Sequence, residues 1–156
     1  MNPVIDMEDV MTKEVIVKIT GSEYGVSERE QVEQVVKGNY YKKNGKDFVI
    51  YDVAEGEETV HTTLKIEGEQ LEITKNSGAG KVHMKFKQEE SFSTMYHTVA
   101  GALEMEFFTR KLVISSDENC ISIKTLYEIS MNQVEIGTRE IRIEIEKIIN
   151  SNVVNN

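Results

Sequence analysis

Leu103–Ser115 (LEMEFFTRKLVIS), Ile121–Met131 (ISIKTLYEISM) and Glu140–Ile148 (EIRIEIEKI) alternate apolar and polar residues over nearly their whole length. Side chains of a β-strand point to opposite faces in turn, so this period of two marks strands with one buried and one wet face. In the last stretch Ile141, Ile143 and Ile145 share one face, and Glu140, Arg142, Glu144 and Glu146 share the other. Strands of this kind are antiparallel neighbours. The expected core is Ile121, Ile123, Ile129, Ile141 and Ile143, with Glu140, Arg142 and Glu144 in water.

The joints between the three stretches carry turn formers: Asp117, Glu118 and Asn119, then Asn132 to Gly137. Aligning apolar with apolar across the first joint pairs Ile114 with Ile121 and Leu112 with Ile123. Arg110 then falls opposite Thr125, and Phe108 opposite Tyr127. The first stretch changes phase internally. Leu103, Met105 and Phe107 have odd numbers, whereas Leu112 and Ile114 have even ones. A period of two cannot change phase without an extra residue, so a β-bulge is expected between Phe107 and Lys111. It would bend the strand, and bent strands let a sheet curl into a barrel.

Working back toward the start, further strands are expected at about Lys13–Thr20, Glu28–Lys42, Asp47–Ala54, Thr59–Glu67, Gln70–Lys75, Lys81–Lys87 and Ser91–Val99. Gly21 to Ser27 reads as a loop. Gly38, inside the second of these strands, reads as a bulge or tight bend. Asn44-Gly45 is a hairpin signal, because a type I′ turn needs positive φ at both central residues. The lone proline, Pro3, interrupts no strand. Many short strands with short connections and no convincing helix predict an all-β fold. The expectation is a single closed antiparallel meander barrel, calycin-like or lipocalin-like, of about eight to ten strands. Residues 1–11 are expected to be a mobile lead-in, 12–149 the barrel domain and 150–156 a flexible tail.

Composition narrows the partners. The formal net charge of -9 would repel nucleic acid and anionic membrane surfaces. A single cysteine, Cys120, excludes an intramolecular disulfide. Residues 1–11 lack a basic stretch followed by a long apolar core, so no secretory signal is expected, and no apolar run approaches a membrane span. A reduced cytoplasm is the expected compartment.

Several stretches together resemble a known family. They are GNYYKKNGKDFVIYD (Gly38–Asp52), TTLKIEGEQLEITKNSG (Thr62–Gly78), MKF (Met84–Phe86), AGALEMEFFT (Ala100–Thr109) and ISIKTLYEISM (Ile121–Met131). In these the chain is similar to the YwiB-like family of bacterial proteins. The resemblance implies a single-domain calycin-like barrel and carries over no catalytic residues. Where the family pattern has an arginine ahead of the glycine loop, this chain has Asn76 beside Lys75.

Residue chemistry gives few handles. Of His61, His83 and His97, the first two alternate with polar neighbours and read as wet. His97 shares a face with Met95 and Val99 and reads as partly buried. No convergent metal set is expected, and no cofactor. Cys120 has no histidine nearby in sequence and reads as a small core or edge residue. Lys81, Lys85 and Lys87 form a basic strip that carboxylates on neighbouring strands could neutralise. No phosphate loop, nucleophile elbow or HExxH stretch occurs.

The function expected is therefore a non-catalytic barrel that binds a small, partly apolar ligand, which could be acidic. The alternative is a structural or interaction module with a filled interior. Met105, Phe107, Leu112 and Tyr127 would line the cavity. If the phase change falls before residue 110, Arg110 lies inside beside Thr125 and Tyr127 and anchors the ligand's acidic head. If it falls at residue 110, the bulge turns Arg110 outward and leaves Thr109 inside.

Overall fold

The computed structural model describes residues 12–24, 31–78 and 80–148. It contains ten strands: β1 (Lys13–Tyr24), β2 (Gln31–Lys43), β3 (Lys46–Glu55), β4 (Glu58–Glu67), β5 (Gln70–Ser77), β6 (Gly80–Lys87), β7 (Ser91–Thr98), β8 (Gly101–Ser116), β9 (Cys120–Met131) and β10 (Val134–Lys147). The expected lead-in 1–11 and tail 150–156 lie outside the described residues, as does the expected start of the second strand at Glu28.

Every ladder is antiparallel, and β1 pairs with β10, in the order β6-β5-β4-β3-β2-β1-β10-β9-β8-β7. The sheet curls until its two ends, β6 and β7, lie side by side, which makes the meander a barrel. Between β6 and β7 no ladder forms among the described residues. Side chains bridge this seam instead: the His83 and Phe92 rings meet edge-on with centroids 5.2 Å apart. The turn between β6 and β7 bonds to β8. The Glu89 N–H donates to the Thr109 carbonyl at 2.7 Å, and the Thr109 N–H donates to the Glu90 carbonyl at 3.1 Å.

The period-two pattern places the core as expected. Val15 and Val17 of β1, Val49 of β3, Leu64 of β4, Leu71 of β5, Phe86 of β6, Phe107 of β8 and Ile143 of β10 are all buried on the inner wall. Ile123 and Ile129 are buried too, whereas Ile121 and Ile141 are only partly so. Arg142 and Glu144 are exposed. Glu140, expected in water, keeps only 13% of its side chain exposed, because the Arg142 Nε–H binds its carboxylate at 2.7 Å.

The expected bulge is present. Thr109 pairs with Tyr127 and Lys111 with Leu126, so Arg110 is the extra residue. The expected pairing across this hairpin is corrected. Ile114 faces Ile123, and Leu112 faces Thr125, two residues from the apolar alignment. The Asp117 carboxylate accepts the N–H groups of Asn119 and Cys120 at 2.8 and 2.9 Å, and this tight turn draws the strands together to Ser116 and Ile121. A slip of two residues keeps every side chain on its face, so apolar matching cannot detect it.

Two expected loops are strand instead. β1 runs on through Gly21 to Tyr24. Asn132 and Gln133 alone make the turn before β10, with φ of 47° and 69°, and a second bulge at Ile136 takes up the remaining residue. Asn44 and Gly45 have the expected positive φ, 53° and 77°.

Gly38 marks a corner. β2 pairs with β1 from Gln31 to Tyr40 but with β3 only from Gly38 onward. A Cβ there would stand 2.8 Å from the Ile50 carbonyl oxygen and 3.2 Å from Val17 Cγ2. Only glycine lets the β2 backbone approach the Ile50 carbonyl this closely with Val17 packed above it.

Candidate functional site

The inner wall holds a contiguous polar patch on β8, β9 and β10. Along β10, Arg139 has the parity of Ile141, Ile143 and Ile145 and so points inward with them. It pairs with Tyr127 of β9, which pairs in turn with Thr109 of β8. Thr125 lies one inward step along β9, opposite Ile141 and Leu112. Thr109 and Thr125 are fully buried and Tyr127 is 6% exposed.

Three atoms of this patch, Thr109 Oγ1, Thr125 Oγ1 and Arg139 Nε, are buried with no hydrogen-bond partner. A buried polar group left unpaired costs about 1–3 kcal/mol, so native structures rarely leave three together. Burial pushes the Tyr127 hydroxyl up to about 12, against the opposing pull of the Arg139 charge. Tyr127 therefore remains a neutral hydroxyl at physiological pH.

The surroundings are apolar. The Tyr127 ring packs 4.9 Å from Phe86 and 6.0 Å from Phe107, centroid to centroid. Beyond Arg139 the wall opens. Gly21, the ladder partner of Ile141, lies on the inner face of β1, and a Cβ built on it meets no atom of the described residues within 4 Å. Ile19, Val36 and Ile141 point to the same interior and are only partly buried.

Of the residues expected to form the site, Met105, Phe107, Leu112, Thr125 and Tyr127 do line the interior, each at most 8% exposed. Arg110 does not, which corrects its place in the expected ligand site: of the two alternatives, the phase change falls at residue 110. The bulge turns it to the outer face, where its Nε–H binds the Glu128 carboxylate and 59% of the side chain stays exposed. Thr109 takes the inner position. The inward arginine is Arg139. Its parity was readable in the sequence, but an expected loop ending at Gly137 and a strand expected to begin at Glu140 left it unassigned.

Other candidates are placed as follows. His61 is exposed and bonds to Asp52 at 2.6 Å; His83 bonds to Glu72 at 2.9 Å. His97, expected to be partly buried, is exposed together with Met95 and Val99, because β7 turns its even-numbered residues inward. No group of three or more metal-ligating residues occurs among the described residues. In the basic strip of β6, Lys87 lies 3.5 Å from Glu90; Glu72, opposite Lys85 in the ladder, is engaged by His83 and by Lys65 of β4, the latter at 3.5 Å.

A separate pocket of about 200 Å³ lies where β2, β3, β9 and β10 end, lined by Tyr40, Lys42, Asp47, Cys120 and Lys147 among others. Its polar groups are largely spoken for. The Tyr40 hydroxyl donates to Asp47 at 2.5 Å, and burial together with that carboxylate raises the phenol well above its ordinary range. Cys120 is half-buried, with Sγ 3.8 Å from Ser122 Oγ.

An antiparallel ten-stranded meander closed through its first and last strands, with a polar patch in an apolar interior, defines an all-β barrel. The chain belongs to the family described as a domain of unknown function, DUF1934, whose model matches residues 17–143. Its fold is similar to the crystal structure of the YwiB protein from Bacillus subtilis, with a TM-score of 0.75 and 19% sequence identity over 88% of this chain and 94% of that one. No curated protein matches the chain.

Proposed function

We propose that this protein is a non-catalytic barrel that binds a small, partly apolar molecule against the inner wall around Gly21. One observation carries the reading: among the described residues Gly21 leaves open space on the inner face, and Ile19 and Ile141 beside it stay partly uncovered. Apolar side chains that point into a barrel but keep their access to solvent are a surface waiting for an apolar partner. Covering such a surface yields roughly 25 cal/mol per Å².

A second reading, a structural module with a filled interior, draws on the other half of the barrel. There Phe86, Phe107 and Tyr127 pack ring against ring, and Phe86 and Phe107 are all but fully buried. A ligand could not enter at that level.

Native mass spectrometry of protein purified from its own host separates the two. The expected result is a co-purifying small molecule that is lost in Gly21→Phe, whose ring would occupy the open space. A bare mass for the wild type, with no binding of added decanol or decanoate, would overturn the binding reading and favour the filled module.

A further inference from the structure

We infer that Arg139 anchors the anionic head of the bound molecule, so that the ligand is a small amphipathic anion, with Tyr127, Thr109 and Thr125 supplying hydroxyl hydrogen bonds. This rests on the binding reading above and adds the charge of the ligand to it.

The guanidinium does not lose its proton inside a protein, so an inward arginine must find an acceptor or a counter-charge. Among the described side chains no ion pair includes Arg139, although every other arginine there has one: Arg110 with Glu128, and Arg142 with Glu140. Its Nε is buried and unbonded. Glu23 is its ladder partner on β1, so the test below includes that residue.

The two threonines point the same way. Thr109 and Thr125 are fully buried, and their hydroxyls have no partner. Tyr127, between Thr109 and Arg139 in the ladder row, retains its proton as a donor. One cation and three hydroxyls thus face the interior from three neighbouring strands. An anion accepts from all four, whereas a neutral apolar molecule would leave them unpaired. The planar guanidinium suits a carboxylate or phosphate oxygen pair.

The overall charge of -9 does not oppose this. Surface carboxylates farther away than about 8 Å are screened at physiological salt, while a contact inside the barrel is not. The Ile19 and Ile141 side chains beside Gly21 would take the apolar part of the molecule.

The test compares decanoate with decanol by isothermal calorimetry, using wild type, Arg139→Met, Thr125→Val and Glu23→Gln, each first shown to unfold cooperatively in urea. Decanoate should bind the wild type roughly tenfold or more tightly than decanol, the scale of a charge-assisted hydrogen bond. Arg139→Met should erase that preference while still binding decanol. Thr125→Val should reduce it, and Glu23→Gln should leave it in place. Equal binding of the two probes by the wild type would overturn the anionic assignment and leave the binding reading standing. So would a preference that survives Arg139→Met, or one that appears only in Glu23→Gln, because Arg139 would then already be neutralised within the protein. Failure of both probes to bind would overturn both readings.

Discussion

Thr109 stands directly across the β8–β9 ladder from Tyr127, and the next residue, Arg110, has no ladder partner on β9. That one unpaired residue sets which side of β8 faces the core. Before it, Met105, Phe107 and Thr109 are buried; after it, Leu112 is. Arg110→Ala should change stability by no more than about 1 kcal/mol, since it removes only an exposed ion pair. Deleting Arg110 should also be tolerated, at about 1–2 kcal/mol in urea denaturation, because Thr109–Tyr127 and Lys111–Leu126 then become successive pairs with Lys111 still outward and Leu112 still inward. A loss of about 3 kcal/mol or more, the scale of an inverted face, would mean that Arg110 is not the extra residue.

Two inward glycines on adjacent strands should respond oppositely to one methyl group. At Gly38 a Cβ would press on the Ile50 carbonyl from 2.8 Å, and backbone cannot step aside cheaply. Gly38→Ala should destabilise by about 1–3 kcal/mol. Gly21 has open space in front of it, so Gly21→Ala should be neutral or stabilise by about 0.4–1 kcal/mol through the unfolded chain. Thermal unfolding of both variants checks the contrast.

Gly45 has φ of 77° in the β2–β3 turn. A β-branched residue resists that angle, so Gly45→Val should lower stability by roughly 1 kcal/mol or more. An unchanged denaturation midpoint would count against the turn.

Ile143 is 1% exposed, while Ile141, two residues earlier on the same face, is only partly buried. Ile143→Ala should cost about 2–5 kcal/mol and Ile141→Ala clearly less. Equal losses would argue that the wall beside Gly21 is closed rather than open.

Glu72 gives the stability a pH dependence. Burial would raise its carboxyl, but the hydrogen bond from His83 and the charges of His83 and Lys65 outweigh burial and hold it below the ordinary value of 4.5. A carboxyl depressed in the folded state stabilises fully above its unfolded pKa and loses that contribution as pH falls through the folded one. Wild type should therefore exceed Glu72→Gln in stability near neutral pH, and the gap should close as pH falls below about 4.5. A gap independent of pH down to acid unfolding would rule the effect out. The pair is partly exposed, so the difference is expected to be small.

Which residues face inward was largely legible from the chain alone. Side-chain alternation is local stereochemistry, so the parity of Val15, Val17, Ile123 and Ile143 needed no tertiary knowledge. The bulge was legible for the same reason, because a change of phase has no other cause in a continuous strand. The pairing across β8 and β9 was not. Registers two residues apart present the same faces, and only the Asp117 turn distinguishes them.

The candidate site divides along the same line. Parity marks Thr125, Tyr127 and Arg139 as inward once β10 is known to start at Val134. That start depends on a two-residue turn at Asn132–Gln133 and a bulge at Ile136, and turn geometry of this kind is decided by the strands it joins. Neither the missing partners of Arg139, Thr109 and Thr125 nor the open space at Gly21 exists in any single strand. They follow from how tightly the sheet curls and which walls it brings together. By itself the sequence determined the all-β meander and the inner and outer faces of its strands, because both follow from a period of two along the backbone. Only the tertiary structure decided that Arg110 meets Glu128 outside while Arg139, inside, has no ion pair among the described side chains, because pairing depends on neighbours brought together across the sheet.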